Sequence, residues 1–150
     1  MSVNVMIADD HKMMREGIRQ LLEMDGEIKV IAEAEDGEDC LQILSKIHPE
    51  VLLLDINMPG KNGIDVLKVL KEKKSDMKVL MLTVHNEVEY LMKAVDIGAD
   101  GYLLKDSDST ELRYAIMTVY DGKKYIQPSL IPLLNSKMIS RDNDKEKIDL

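Results

Sequence analysis

Residues 51–63 read VLLLDINMPGKNG, and four consecutive apolar side chains, Val51 to Leu54, run directly into Asp55. A run without polar alternation fits a strand buried on both faces, as inside a parallel sheet. Pro59, Gly60 and Gly63 then break the chain into a turn. Burying an unpaired carboxylate is costly, so Asp55 must stand where the strand surfaces or meet a cation.

Four further short apolar runs accompany it: Val3–Ala8, Ile28–Ala34, Val79–Val84 and Gly101–Lys105. Helical periodicity fills the intervals. Met14, Ile18, Leu21 and Leu22 follow the first strand; Cys40, Leu44 and Ile47 the second; Ile64, Leu67 and Leu70 the third. Val88, Leu91, Met92 and Val95 follow the fourth, and Leu112, Ala115, Ile116 and Val119 the fifth. Asp36 with Asp39 and Asp108 with Glu111 have N-cap spacing, while Gly98 and Gly122 stand where C-caps belong. Strand and helix thus alternate five times, which predicts an α/β domain: a doubly wound parallel sheet of five strands with helices on both faces.

The chain has 150 residues, enough for one domain with a real core. It has no Phe or Trp, so that core is aliphatic, and its single Cys40 excludes an intrachain disulfide, which suits a reducing cytosol. With no secretory leader pattern and no apolar run long enough to span a bilayer, the expected location is cytoplasmic, with no membrane contact. The net charge of −8 argues against these residues gripping a nucleic-acid backbone by themselves. From about Ile126 the character changes. The stretch QPSLIPLLNSKMISRDNDKEKIDL has two prolines near its start and ends in a charged run, so residues 1–125 are expected to be the domain. Residues 126–150 are read as a linker or tail with at most one short helix.

Polar residues gather at the strand ends. Asp9 and Asp10 close the first strand, Asp55 the third, Thr83 the fourth and Lys105 the fifth. Taken singly, each has a plain explanation: Asp10 as a helix cap, Thr83 as a strand former, Lys105 as a solvated end. Jointly they place three carboxylates, a hydroxyl and an ammonium on one edge, where open parallel sheets bind ligands. Clustered carboxylates call for a hard cation such as Mg²⁺, which takes few carboxylates and brings phosphate. A carboxylate beside it is a nucleophile for phosphorus, giving an aspartyl-phosphate at Asp55 with Lys105 and Thr83 meeting the phosphoryl oxygens.

The motifs IADDH, LLLDINMPGKNG, MLTVH and GYLLKD, in this order between Val3 and Gly122, resemble the receiver domain of two-component response regulators. The resemblance implies a flavodoxin-like sheet in the order 2-1-3-4-5, with Asp55 as phosphoacceptor. It implies Mg²⁺ (or Mn²⁺) bound by Asp10 directly, by Asp9 through water, by Asp55 and by the Asn57 backbone carbonyl. Tyr102 matches an aromatic position that changes rotamer with Thr83, and Asn57 and His85 match positions that tune the phosphoryl lifetime. The stretches DDHKMMREGIRQLL and GADGYLLKD are similar to the NarL/LuxR-type transcription regulators.

Implied partners are a sensor histidine kinase and a second copy of the chain on phosphorylation. DNA would be contacted only through a C-terminal helix-turn-helix domain that residues 126–150 do not contain, so the chain is read as a receiver ending within its linker. The alternative is a stand-alone receiver acting by protein contact. On either reading it is a phosphorylation-controlled switch that catalyses only its own phosphorylation and hydrolysis. An Mg²⁺-dependent phosphatase working through an aspartyl-phosphate is disfavoured, because Asn57 stands where that chemistry wants a second acid. A nucleotide-binding reading is disfavoured because ADDHKMM offers carboxylates instead of a phosphate loop.

Overall fold

The computed structural model describes residues 2–84 and 88–135. Five strand–helix units follow one another: β1 (Val3–Ala8), α1 (Lys12–Glu23), β2 (Ile28–Ala34), α2 (Gly37–Leu44), β3 (Val51–Asp55), α3 (Gly63–Glu72), β4 (Lys78–Thr83), α4 (Val88–Ile97), β5 (Gly101–Leu104) and α5 (Ser109–Tyr120). A two-residue strand, β6 (Tyr125–Ile126), and a 3₁₀ turn (Pro128–Leu130) come after them. The sheet runs β2-β1-β3-β4-β5-β6 with every pair parallel. The flavodoxin-like order 2-1-3-4-5 is therefore present, extended by a sixth strand beside β5.

The uninterrupted apolar run of β3 is explained by its neighbours. Leu52 and Leu54 pack in the cluster that contains Leu67 of α3 and Leu91 of α4, while Val51 and Leu53 pack in the cluster of Ile18, Leu22, Ile116 and Val119 from α1 and α5. Both faces of the central strand are covered, so no position was left for a polar residue. The capping expectations hold as well. Asp36 accepts from Asp39 N, Asp108 accepts from Glu111 N, and Gly98 and Gly122 carry positive φ at the ends of α4 and α5.

Leu21 departs from its expected place. It is 42% exposed on the flank of α1, where its carbonyl receives the Arg113 guanidinium of α5, while Ile18 and Leu22 are the buried residues of that helix and Met14 packs half-buried beside them. The boundary between Tyr125 and Ile126 passes through β6, and the chain stays on the domain past it. Tyr125 N donates to Asp100 O, Gln127 N donates to Tyr102 O, and Leu130 and Leu134 are buried in the α4-side cluster. No helix among the described residues is long and apolar enough to cross a membrane.

Candidate functional site

The strand order reverses at β1, which lies between β2 and β3, and the carboxyl ends of β1 and β3 open on one crevice. Ala8 is opposite Leu54 in the ladder, so the next residues on each strand, Asp9 and Asp55, come out side by side. Both are buried, at 0% and 2% exposure, while Asp10 opens to solvent. Lys105, the first residue past β5, reaches across β4 and sets its ammonium 3.1 Å from Asp55 Oδ2 and 3.0 Å from Asp9 Oδ2. The Asp55 contact is a directed hydrogen bond; at Asp9 Oδ2 the contact is one of charge, and that buried oxygen lacks a well-aligned donor. The second oxygen of Asp55 accepts from Asn57 N at 3.2 Å, which ties the following loop to the carboxylate.

Thr83 is buried at the end of β4, and its Oγ1 donates to Val84 O at 3.2 Å. Its carbonyl accepts from Lys105 N at 2.8 Å, so hydroxyl and ammonium enter the crevice from adjacent strand ends. Tyr102 is placed differently. Its ladder partner is Met81, whereas Thr83 is opposite Leu104, and its hydroxyl lies at the carbonyls of Ala94 and Ala99. Tyr102 is thus two residue pairs behind the Thr83–Leu104 pair at the crevice, with its hydroxyl toward α4. His85 lies outside the described residues.

Two residues that sequence reasoning passed over belong to the same end of the sheet. His11 Nδ1 sits 3.2 Å from Asp9 Oδ1 and 3.0 Å from Asp10 Oδ1, and its backbone N–H donates to Asp9 Oδ1 at 2.8 Å. The N-cap of α1 is therefore His11, and Asp10 does not cap the helix. Arg15 of α1 donates through Nη1 to the Asp9 carbonyl and through Nε to Glu33 of β2, bracing the backbone that carries the acidic pair. The i+6 spacing from Asp9 to Arg15 alone gave no hint of this, because the bond depends on how α1 lies against β2.

Ligand atoms of Asp9, Asp10, His11 and Asp55 lie within 4.8 Å of one another. Three carboxylates, one of them with a buried and poorly satisfied oxygen, fit a hard divalent cation; the imidazole is the member such an ion favours least. Burial pushes the Asp55 carboxyl up to about 6; Lys105 opposes the rise and Asp9 adds to it. Burial lowers the Lys105 ammonium, but Asp55 and Asp9 outweigh it and the net shift is upward.

The Asp55 shift has a consequence for stability. A carboxyl held above its unfolded value of about 3.9 binds its proton more tightly when folded, so stability falls as pH rises from about 4 through about 6. The cost is of the order of 2 kcal/mol and is fully present above that window. Asp55→Asn is expected to melt about 5 °C above the wild type at pH 7.5, with the gap closing toward pH 4. Melting curves across that range check it; a gap that widens in acid would reverse the sign of the argument.

The family model for the response regulator receiver domain matches residues 5–117. The chain belongs to this family. The receiver is 39% identical over 128 residues to the transcriptional regulatory protein DegU of Brevibacillus brevis, an alignment spanning 85% of this chain and 54% of DegU. It is 36% identical over 134 residues to the nitrate/nitrite response regulator protein NarL of Escherichia coli K12, spanning 89% of this chain and 62% of NarL. The isolated receiver domain of RcsB from Salmonella enterica serovar Typhimurium, solved in the presence of the phosphomimetic BeF3-, superposes with a TM-score of 0.80 at 33% identity. That alignment covers 89% of this receiver and 99% of the RcsB domain. The receiver is of the NarL/LuxR type, as its stretches DDHKMMREGIRQLL and GADGYLLKD imply, and it spans little more than half the length of the two full regulators.

Proposed function

We propose that this receiver is a switch set by a phosphoryl group on Asp55, taken from a phosphohistidine of a sensor kinase. The observation that carries the reading is the crevice itself. A buried carboxylate at the end of β3 faces an ammonium at 3.1 Å, with two further aspartates beside it. In the transfer, an Asp55 carboxylate oxygen forms the new bond to phosphorus while the P–N bond of the donor breaks and the imidazole leaves. Lys105 is already poised between the two buried aspartates and shifts its ammonium to a phosphoryl oxygen. Thr83 exchanges its bond with Val84 O for another phosphoryl oxygen.

Asp9, Asp10, Asp55 and the Asn57 carbonyl are the groups we assign to Mg²⁺ or Mn²⁺. When bound, the ion supplies positive charge against the phosphoryl oxygens. Asn57 and His85 are assigned to tuning the phosphoryl lifetime. Tyr102, whose hydroxyl starts at the carbonyls of Ala94 and Ala99, is the aromatic residue we assign to changing rotamer as Thr83 moves toward the phosphoryl group.

Receivers are signalling switches, and this one has Asn57 where a phosphatase of the aspartyl-phosphate kind needs an acid. The output we propose is self-association that brings two helix-turn-helix domains onto paired DNA half-sites, through a domain outside these residues. A chain of net charge −8 leaves DNA contact to that domain.

The test is direct. With acetyl phosphate and Mg²⁺, intact mass should show one added phosphate, and excess chelator should abolish it. Sedimentation before and after phosphorylation should show monomer passing to dimer. Uptake that proceeds undiminished in chelator would sink the metal-dependent reading, and a monomer in both states would favour a stand-alone receiver.

A further inference from the structure

Lys105 is held from two sides. Toward the sheet, its N–H donates to Thr83 O. On the outer side, the N–H of Leu104 points off the edge of β5, where such a group ordinarily meets water. It donates instead to Gln127 Oε1 at 2.7 Å, and the same oxygen accepts from Ser107 Oγ at 3.0 Å. Only the carbonyl oxygen of the amide accepts from an N–H, so Leu104 sets the orientation of the side chain. The Gln127 backbone N–H donates to Tyr102 O, and Ser107 N closes the turn on Leu104 O. One residue, 22 positions beyond Lys105 and past all of α5, thus clamps the strand before the lysine and the turn after it.

Gln127 is itself firmly seated. Tyr125, two residues earlier, is bonded through its backbone to Asp100, stacks edge-on against Tyr114 with ring centroids 5.7 Å apart, and joins its hydroxyl to Glu111. Leu130, three residues later, is buried among the α4-side core. Gln127 therefore belongs at once to the support of Lys105 and to the segment by which the chain leaves the five-strand unit.

We propose that Gln127 is a positioning residue for Lys105, and that through it the state of the carboxylate crevice is coupled to the exit segment. The inference rests on the function proposed above. A lysine that leaves Asp9 to follow a phosphoryl oxygen pulls on the Leu104–Ser107 turn, and the turn pulls on Gln127. Because coupling between two sites is reciprocal, loosening Gln127 must in turn loosen the lysine.

The experiment follows phosphate uptake from acetyl phosphate and Mg²⁺ by intact mass, in the full chain as wild type, Gln127→Ala, Gln127→Glu and Ser107→Ala. Thermal midpoints are measured alongside, with amide hydrogen exchange at Leu104 and Gln127. Loss of two hydrogen bonds from one acceptor should slow uptake about tenfold in Gln127→Ala, an intermediate slowing should follow Ser107→Ala, and Gln127→Glu, which keeps an acceptor, should stay within about twofold of wild type. Phosphorylation should change exchange at Gln127 in the wild type and leave the exit segment of Gln127→Ala unresponsive. Uptake by Gln127→Ala at the wild-type rate overturns the proposal. So does equal slowing in Gln127→Ala and Gln127→Glu, which would mark a general packing defect. A wild type that takes up no phosphate fails in the first lane and overturns the proposed function, and the coupling with it.

Discussion

Asp55→Asn is expected to take up no phosphate from acetyl phosphate and Mg²⁺ under conditions where the wild-type receiver takes up one. The substitution keeps the size of the side chain and its place at the end of β3, but the amide oxygen is too weak a nucleophile to attack phosphorus. Neither neighbour is placed to take over. Asp9 is fully buried, with Oδ1 bound to His11 N and Oδ2 beside Lys105, and Asp10 stands open to solvent with His11 at 3.0 Å and Lys105 engaged elsewhere. The variant should still fold, and by the pH argument should melt higher than the wild type at neutral pH. Intact mass decides the point. A phosphate on the variant at wild-type level, mapped to Asp9 or Asp10, would move the acceptor off β3.

Gly63→Ala is expected to be strongly damaging for the addition of a single methyl. A Cβ built on Gly63 would lie 2.2 Å from Asp55 O, 2.9 Å from Ile56 Cα and 3.0 Å from Asp55 C, all of them backbone atoms that cannot swing aside. The helix start is pinned as well. Asn62 and Asp65 form a reciprocal capping box, and Gly63 N donates to Ile56 O at 2.9 Å. Relief must come from sliding α3 or bending β3, at about 3 kcal/mol or more, which lowers the melting temperature by about 10 °C. The backbone displaced is that of Asp55, the proposed phosphoacceptor, so phosphate uptake should fall with stability. Gly17→Ala on α1 is the control: nothing lies within 4 Å of its Cβ, and the change should be neutral or slightly stabilising. Equal melting of Gly63→Ala and wild type would show that α3 is free to slide.

The parts of this molecule that could be read in its sequence are those written in one local stretch. The unbroken apolar run of β3 announces a strand covered on both faces, and the turn residues after Asp55 announce where it ends. Asp36–Asp39 and Asp108–Glu111 carry their caps within four residues, and both caps formed. That Asp9, Asp55, Thr83 and Lys105 come together was legible because they stand at the carboxyl ends of four strands, and parallel topology brings such ends to one edge.

What escaped depends on neighbours that no local pattern names. β6 is two residues long and exists because β5 offers an edge, and the spacing of Leu130 and Leu134 was masked by the prolines around it. His11, Arg15 and Gln127 act through bonds fixed by the lie of helices and by ladder register. Leu21 has the right period for the core but the wrong flank. Tyr102 sits on the expected strand, yet its ladder partner is Met81, a detail that only the β4–β5 register reveals.

The sixth strand also bears on how such a domain can be recombined. A receiver is often pictured as a cartridge with a loose string attached, so that any output module could be spliced on after the last helix. Here the last helix is not the seam. Tyr125 and Ile126 pair with the outer side of β5 and Leu130 and Leu134 enter the α4-side core, so a graft made just after Tyr120 would strip β5 of its cover and take two buried leucines out of that core. A hybrid regulator that preserves this receiver must carry its exit segment along, and the splice belongs beyond Leu134.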